Sequence, residues 1–137
     1  VGVCEVPRDK VNRYGIVDGE EIAPGIFRVR RLVEKPSVEE APSNRAIVGR
    51  YLLTPDIFSH LDAVQPGKDG EIQLTDALQS LAASRGLLAV SMHGQRYDAG
   101  DWVEYLTANI HLALEDKTLH DDLLEKLSAL LKSAGRK

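Results

Sequence analysis

Glu34 and Lys35 stand side by side at the end of the run Arg31-Leu32-Val33, and Pro36 follows at once. A carboxylate beside an ammonium offers an acceptor for hydroxyls and a donor for phosphate. Few ligands use both within a few ångströms, and a sugar phosphate is one. Pro36 stops the strand and biases Lys35 toward an extended backbone. Strand ends that face a crevice are where α/β folds place ligands. The same pair also fits a solvated strand edge, because charged side chains are mostly exposed. Three further positions could join it. Gly15 follows Tyr14 in a short strand and is either a simple turn glycine or part of a ligand site. Gly49 interrupts the stretch Ala46 to Leu53, where a glycine marks a bulge or the approach of a ligand or neighbouring backbone. Asp98 lies in Tyr97-Asp98-Ala99-Gly100-Asp101, ahead of a helix start. Helix starts attract anions, phosphates included. A lone carboxylate there can hold a hard cation such as Mg²⁺, which takes one or two carboxylates plus substrate phosphates. Asp101 is the better helix cap, which leaves Asp98 for another task.

These residues need elements to hold them. Val1 to Val6 alternates as a strand, and Pro7 to Arg13 is polar and turn-like. Tyr14 to Val17 reads as a short second strand closed by Asp18-Gly19. Ile26 to Lys35 is a longer strand, Ser37 to Asn44 a loop, and Ala46 to Leu53 a buried strand. Thr54 as N-cap and Pro55 in the first helical position open a helix that ends near Ala63. Gln65 to Gly70 is a turn-rich loop. In the segment Gly70 to Asp76, Thr75 reads as the cap of a helix through Ser84, with Ala77, Leu78 and Leu81 on one face. The polar residues of that segment could equally wall a pocket. Leu87 to Met92 is another strand. Asp101 with Glu104 resembles a capping box. Behind it Trp102, Val103, Leu106, Ile110, Ala113 and Leu114 recur at helical spacing. Thr118 with Asp121 opens a last amphipathic helix carrying Leu119, Leu123, Leu127, Leu130 and Leu131, and a basic end closes the chain. Strands interleaved with helices, then two helices, predict a mixed α/β domain. The strands are too few and irregular for a complete doubly wound sheet.

The 137 residues suffice for one domain with a core, and 43% hydrophobic with 28% charged residues is ordinary for a globular chain. A net charge of −4 without a basic block disfavours nucleic acid and anionic membrane surfaces as partners. No apolar stretch approaches the roughly 20 residues of a membrane helix. Cys4 is the single cysteine, which precludes an intrachain disulfide and fits a reducing, cytoplasmic setting. The four histidines, His60, His93, His111 and His120, have no zinc spacing, and neither a P-loop nor a Gly-x-Gly-x-x-Gly motif occurs. The chain begins without Met inside a strand, as though cut from something larger.

The order of the motifs carries more than any one of them. Glu5-Val6-Pro7-Arg8 and Tyr14-Gly15-Ile16-Val17 come first, then Val33-Glu34-Lys35-Pro36 and Ala41-Pro42-Ser43-Asn44. Ala46-Ile47-Val48-Gly49-Arg50-Tyr51, Gly70-Glu71-Ile72-Gln73-Leu74-Thr75-Asp76-Ala77 and Tyr97-Asp98-Ala99-Gly100 follow. This set, covering the chain up to about Leu114, resembles the C-terminal half of the bacterial UTP–glucose-1-phosphate uridylyltransferases (UDP-glucose pyrophosphorylases), within the sugar-1-phosphate nucleotidyltransferases. The resemblance implies an α/β fold, a partial nucleotide-diphospho-sugar transferase (Rossmann-like) domain with a mixed sheet and C-terminal helices. Residues 1–116 would form the sugar-phosphate-binding half and 117–137 a C-terminal amphipathic helix. The implied activity is a cytoplasmic, Mg²⁺-dependent transferase of carbohydrate metabolism that forms UDP-glucose and pyrophosphate from UTP and glucose-1-phosphate. Glu34 would accept from glucose hydroxyls and Lys35 would meet the phosphate. Gly15 and Gly49 would line the sugar pocket, and Asp98 would be one of two aspartates on the metal, so that Lys35 and Asp98 carry the catalytic roles.

Two departures stand out. The family's Gly-rich nucleotide loop and first metal aspartate are not in this sequence, so the chain alone is expected to be inactive. Glu104 and Trp102 replace a frequent glycine and a shorter polar residue. Transfer of thymidylyl, adenylyl or guanylyl groups to another sugar-1-phosphate stays open, as does a non-catalytic binding or oligomerisation module. A homo-oligomer also stays open.

Overall fold

The computed structural model describes residues 1–66 and 70–135. Residues 67–69 of the expected loop Gln65 to Gly70, and the basic end beyond Gly135, lie outside the described residues. Contacts divide the chain into two compact units, Val1–His93 and Gly94–Lys137.

The first unit contains β1 (Gly2–Glu5), a 3-10 turn (Arg8–Arg13), β2 (Gly15–Ala23), β3 (Ile26–Glu34), β4 (Arg45–Ile47), α1 (Ile57–Ala63), α2 (Leu74–Arg85) and β5 (Leu88–Ser91). The strands run in the order β1-β4-β2-β3-β5, and β5 returns to β1, so the sheet closes on itself. β1 and β5 pair in parallel and the other pairs are antiparallel, which makes the sheet mixed, as expected. Closure was not foreseen, and it rests on few contacts: β2 meets β4 at Ile16 with Ala46, and β5 meets β1 at Gly2 with Val90 and Val3 with Ser91. Val3, Val17, Phe27, Val29, Leu32 and Ile47 from the strands meet Ile57, Ala77, Leu78 and Leu81 from α1 and α2 in one core. A smaller cluster joins Val6, Val11, Ile16, Ala41 and Ala46.

The buried positions of β3 change parity along the strand. Phe27 and Val29 are buried, then Leu32. The cause is a β-bulge. Gly19 pairs with Val29 but Asp18 pairs with Arg31, which leaves Arg30 as an extra residue. Because side chains alternate with period 2, one extra residue moves every later side chain to the other face. Leu32 and Glu34 therefore take the face that an unbroken strand would give to Arg31 and Val33. Gly19 permits the bulge, since a Cβ there would lie 2.4 Å from the Arg28 carbonyl oxygen.

Several boundaries differ from those read in the sequence. β2 passes through Asp18-Gly19 instead of stopping there, because the bulge absorbs the irregularity. The expected strand Ala46 to Leu53 shortens to Arg45–Ile47, and Gly49, with φ +72, interrupts the regular ladder between Val48 and Arg50, both of which still bond to Gly2. α1 begins at Ile57 rather than Pro55, and the Thr54 hydroxyl bonds to the Asp56 carboxylate instead of capping. Thr75 is no cap either. Gln73 is the extended residue ahead of α2, and Thr75 is buried within the first turn.

The second unit contains α3 (Trp102–Glu115) and α4 (His120–Ala134). Asp101 caps α3 as expected, its Oδ1 accepting from the N–H groups of Val103 at 2.9 Å and Glu104 at 3.0 Å. The reciprocal bond of a capping box is missing, because Glu104 accepts from the Asp98 N–H at 2.8 Å instead. α4 starts at His120, with the Thr118 N–H and hydroxyl both donating to Asp116 Oδ1. Neither helix buries a residue, and Trp102 is 79% exposed. Among the described residues no helix is long and apolar enough to cross a membrane.

Candidate functional site

Glu34 is the last residue of β3 and pairs across the ladder with Gly15, the first of β2. The bulge places the Glu34 carboxylate on the side where α2 packs. There the Thr75 hydroxyl donates to Glu34 Oε2 at 2.6 Å. Gly15 makes room for this pair. A Cβ on it would lie 3.0 Å from Glu34 Oε2, 3.2 Å from Thr75 Oγ1 and 3.3 Å from Ile47 Cδ1. One turn further along α2, Gln79 Oε1 accepts from the Leu32 N–H at 2.7 Å and Gln79 Nε2 donates to the Arg30 carbonyl at 3.4 Å. It thereby occupies backbone groups of β3 that lie beyond its last pair with β5, Arg28 with Leu88. Tyr51 belongs to the same neighbourhood: burial first, and the negative charge of Glu34 second, push its phenol above the ordinary tyrosine range.

Lys35 departs from expectation. The proline after it was expected to keep it extended, yet its φ is +42, the one positive value outside glycine among the described residues. The left-handed region costs a residue with a Cβ about 1–2 kcal/mol. The Lys35 N–H donates to the Tyr14 carbonyl at 3.0 Å, and the segment after it is pinned to the rest of the unit. Arg8 does the pinning, with Nη1 donating to the Ser43 carbonyl at 3.0 Å and Nη2 to those of Val38 at 3.1 Å and Ala41 at 2.7 Å. Ser43 in turn donates to the Val17 carbonyl at 2.6 Å. The Ala41-Pro42-Ser43-Asn44 motif thus closes a loop that fixes where β3 ends. Lys35 also leaves the strict alternation of the strand, so its side chain is not forced onto the face opposite Glu34.

Gly49 follows β4 with φ +72, and a Cβ there would meet nothing within 4 Å. Its glycine is explained by backbone conformation rather than by crowding. Asp98 belongs to the second unit. Its Oδ1 accepts from the Gly100 N–H at 3.0 Å, and its Oδ2 lies 3.5 Å from Arg96 Nη2. The side chain is 44% exposed. Among the described residues no three His, Cys, Asp or Glu side chains converge as a metal cluster.

Gly15, Glu34 and Lys35 are therefore brought together, while Gly49 and Asp98 are placed by other turns of the chain. Thr75, Gln79 and Tyr51 were not singled out as site residues. Thr75 was read as a helix cap, the role that a threonine near a helix start ordinarily takes. Nothing in the sequence ties it to Glu34.

A closed mixed sheet flanked by helices, with a braced carboxylate next to a lysine at a strand end, suits the handling of a phosphorylated polyol. The nucleotidyl transferase family model matches residues 1–115, and the chain belongs to that family. Within it the chain is 51% identical over 108 residues to the UTP–glucose-1-phosphate uridylyltransferase of Pseudomonas aeruginosa, covering 79% of this chain and 39% of that protein. It is 42% identical over 131 residues to that of Bacillus subtilis, covering 96% of this chain and 45% of the relative. A crystal structure of UDP-glucose pyrophosphorylase complexed with UDP-glucose superposes with a TM-score of 0.80 at 41% identity, over 85% of this chain and 44% of that one. The chain spans less than half the length of these relatives. The expected partial α/β nucleotidyltransferase fold and the resemblance read from the motifs are both borne out.

Proposed function

We propose that this chain is the sugar-phosphate-binding part of an enzyme that forms UDP-glucose and pyrophosphate from UTP and glucose-1-phosphate. The observation that carries the proposal is the Glu34 carboxylate, held by Thr75 and opposed by a glycine, next to a lysine in a strained backbone conformation. Strain of that kind persists where surrounding structure over-determines it, often at ligand sites. Glu34 accepts from glucose hydroxyls, and the Lys35 ammonium neutralises phosphate charge. Gly15 and Gly49 keep backbone accessible to the sugar.

In the reaction a phosphate oxygen of glucose-1-phosphate forms a bond to the α-phosphorus of UTP. The bond from that phosphorus to the oxygen of the β-phosphate breaks, and pyrophosphate leaves with the electron pair. No proton must be moved at carbon, so orientation and charge neutralisation dominate. That agrees with a site built from a carboxylate, an ammonium and glycines. Asp98 supplies one hard, half-exposed carboxylate whose Oδ2 lies 3.5 Å from Arg96 Nη2, which fits a single ligand of Mg²⁺ and not a complete cage. When bound, the ion would neutralise phosphate charge. Residues 1–116 act as the sugar-phosphate half, and 117–137 as an amphipathic helix that packs on its own domain or on a second copy. A cytoplasmic setting in carbohydrate metabolism follows from the activity.

The test is steady-state kinetics of the intact protein with UTP and with dTTP, in wild type and Lys35→Ala. A preference for UTP is expected, with kcat/KM for glucose-1-phosphate falling by about 100-fold in the variant. A strong preference for dTTP would sink the uridylyl assignment. Unchanged kinetics in Lys35→Ala would sink the phosphate role.

A further inference from the structure

We propose that Thr75 is a positioning residue for the sugar site: α2 clamps the end of β3, and the Thr75 hydroxyl fixes the rotamer of Glu34 so that its carboxylate is offered to the ligand in one orientation. The inference rests on the reading of Glu34 as a sugar contact and adds a residue and an element to it. The Thr75 hydroxyl donates to Oε2 at 2.6 Å, a charge-assisted bond that takes one acceptor position of that oxygen and fixes the direction in which the other positions of the carboxylate meet a ligand. Thr75 is 6% exposed, so little water competes for the hydroxyl. It sits in the first turn of α2, where no earlier helical carbonyl is available for it to bond back to. Gln79 is one turn along on the same face and holds the backbone of β3 at Leu32 and Arg30. The same helix therefore grips both the main chain below Glu34 and its side chain. Gly15 closes the arrangement, since any Cβ there would press on Oε2 and the Thr75 hydroxyl together.

A carboxylate held this way has its side-chain freedom removed before the ligand arrives, and preorganisation of that kind raises affinity. The experiment compares Thr75→Val, Thr75→Ser, Thr75→Ala and Glu34→Ala in the intact protein. It measures KM for glucose-1-phosphate, KM for UTP and thermal midpoint for each. Thr75→Val should raise KM for glucose-1-phosphate by about tenfold while KM for UTP stays within about twofold. Thr75→Ser should restore the wild-type value. Should the valine variant fail to fold, the Ser and Ala variants differ by the hydroxyl alone and carry the same comparison. Equal sugar-phosphate KM with and without the hydroxyl, while Glu34→Ala still weakens binding, overturns the positioning role and leaves the site reading intact. Unchanged KM in Glu34→Ala overturns the site reading, and the role of Thr75 with it.

Discussion

Glu34 ends a strand and Asp98 lies in the loop ahead of α3, and the two carboxylates are held in opposite ways. Glu34 depends on a hydroxyl 41 residues away, on a glycine in another strand and on a bulge that sets which face it occupies. Asp98 is held by groups within six residues: the Gly100 N–H, Arg96, and Glu104 through the Asp98 N–H. The first carboxylate is positioned by the packing of a domain and the second by a turn. The first should be sensitive to changes far off in sequence, and the second only to its own neighbourhood.

The sharpest way to break this contrast is Asp98→Asn in the intact protein. Turnover should fall by about 100-fold and the Mg²⁺ requirement should rise, with the thermal midpoint unmoved, because its contacts are local. Wild-type kinetics in that variant would remove Asp98 from the metal site. A smaller effect probes the backbone on the other side of the comparison. Lys35→Gly and Lys35→Ala both lack the ammonium, but only glycine relieves a φ of +42. The glycine variant should be the more stable by about 0.5–1 kcal/mol in urea unfolding, after the greater chain entropy of glycine is set against the strain removed. Equal stability would mean that the turn is not strained. The smallest effect concerns Tyr51. Its pKa is raised in the folded chain, so it contributes stability that is present below pH 10 and is lost as pH rises through the higher folded value. Thermal midpoints measured above pH 9 should fall less steeply for Tyr51→Phe than for wild type, and parallel slopes would detach Tyr51 from Glu34.

The same contrast explains what the sequence disclosed. The Asp101 cap of α3 was legible because it lies within one turn of the N–H groups it serves. The prominence of Glu34-Lys35 was legible because two charges end an apolar run before a proline. The partner of Glu34 was not, since a threonine near a helix start has strong local reasons to be read as a cap, and the long-range bond leaves no spacing to detect. The backbone of Lys35 went the other way from the proline rule, because the bond to Tyr14 and the loop fastened by Arg8 outweigh a local bias. The short strand β4 escaped for a similar reason: apolar content continues to Leu53, but the regular ladder ends at Ile47, and Gly49 interrupts it between the bonds that Val48 and Arg50 make to Gly2.

One trace of the bulge was visible, as the step from Phe27 and Val29 to Leu32, and its meaning extends beyond the fold. Arg30 is exposed and its ion pair with Glu20 is a surface one, so its identity matters little. Its presence is a matter of counting. Exchange Arg30 for another residue and the site should survive. Delete it, and Arg31 follows Val29 directly, the alternation becomes regular, and Leu32 and Glu34 keep their face and their partners in β2. At this position heredity can lose a letter without losing its place: a one-residue gap at Arg30 leaves Glu34 opposite Gly15.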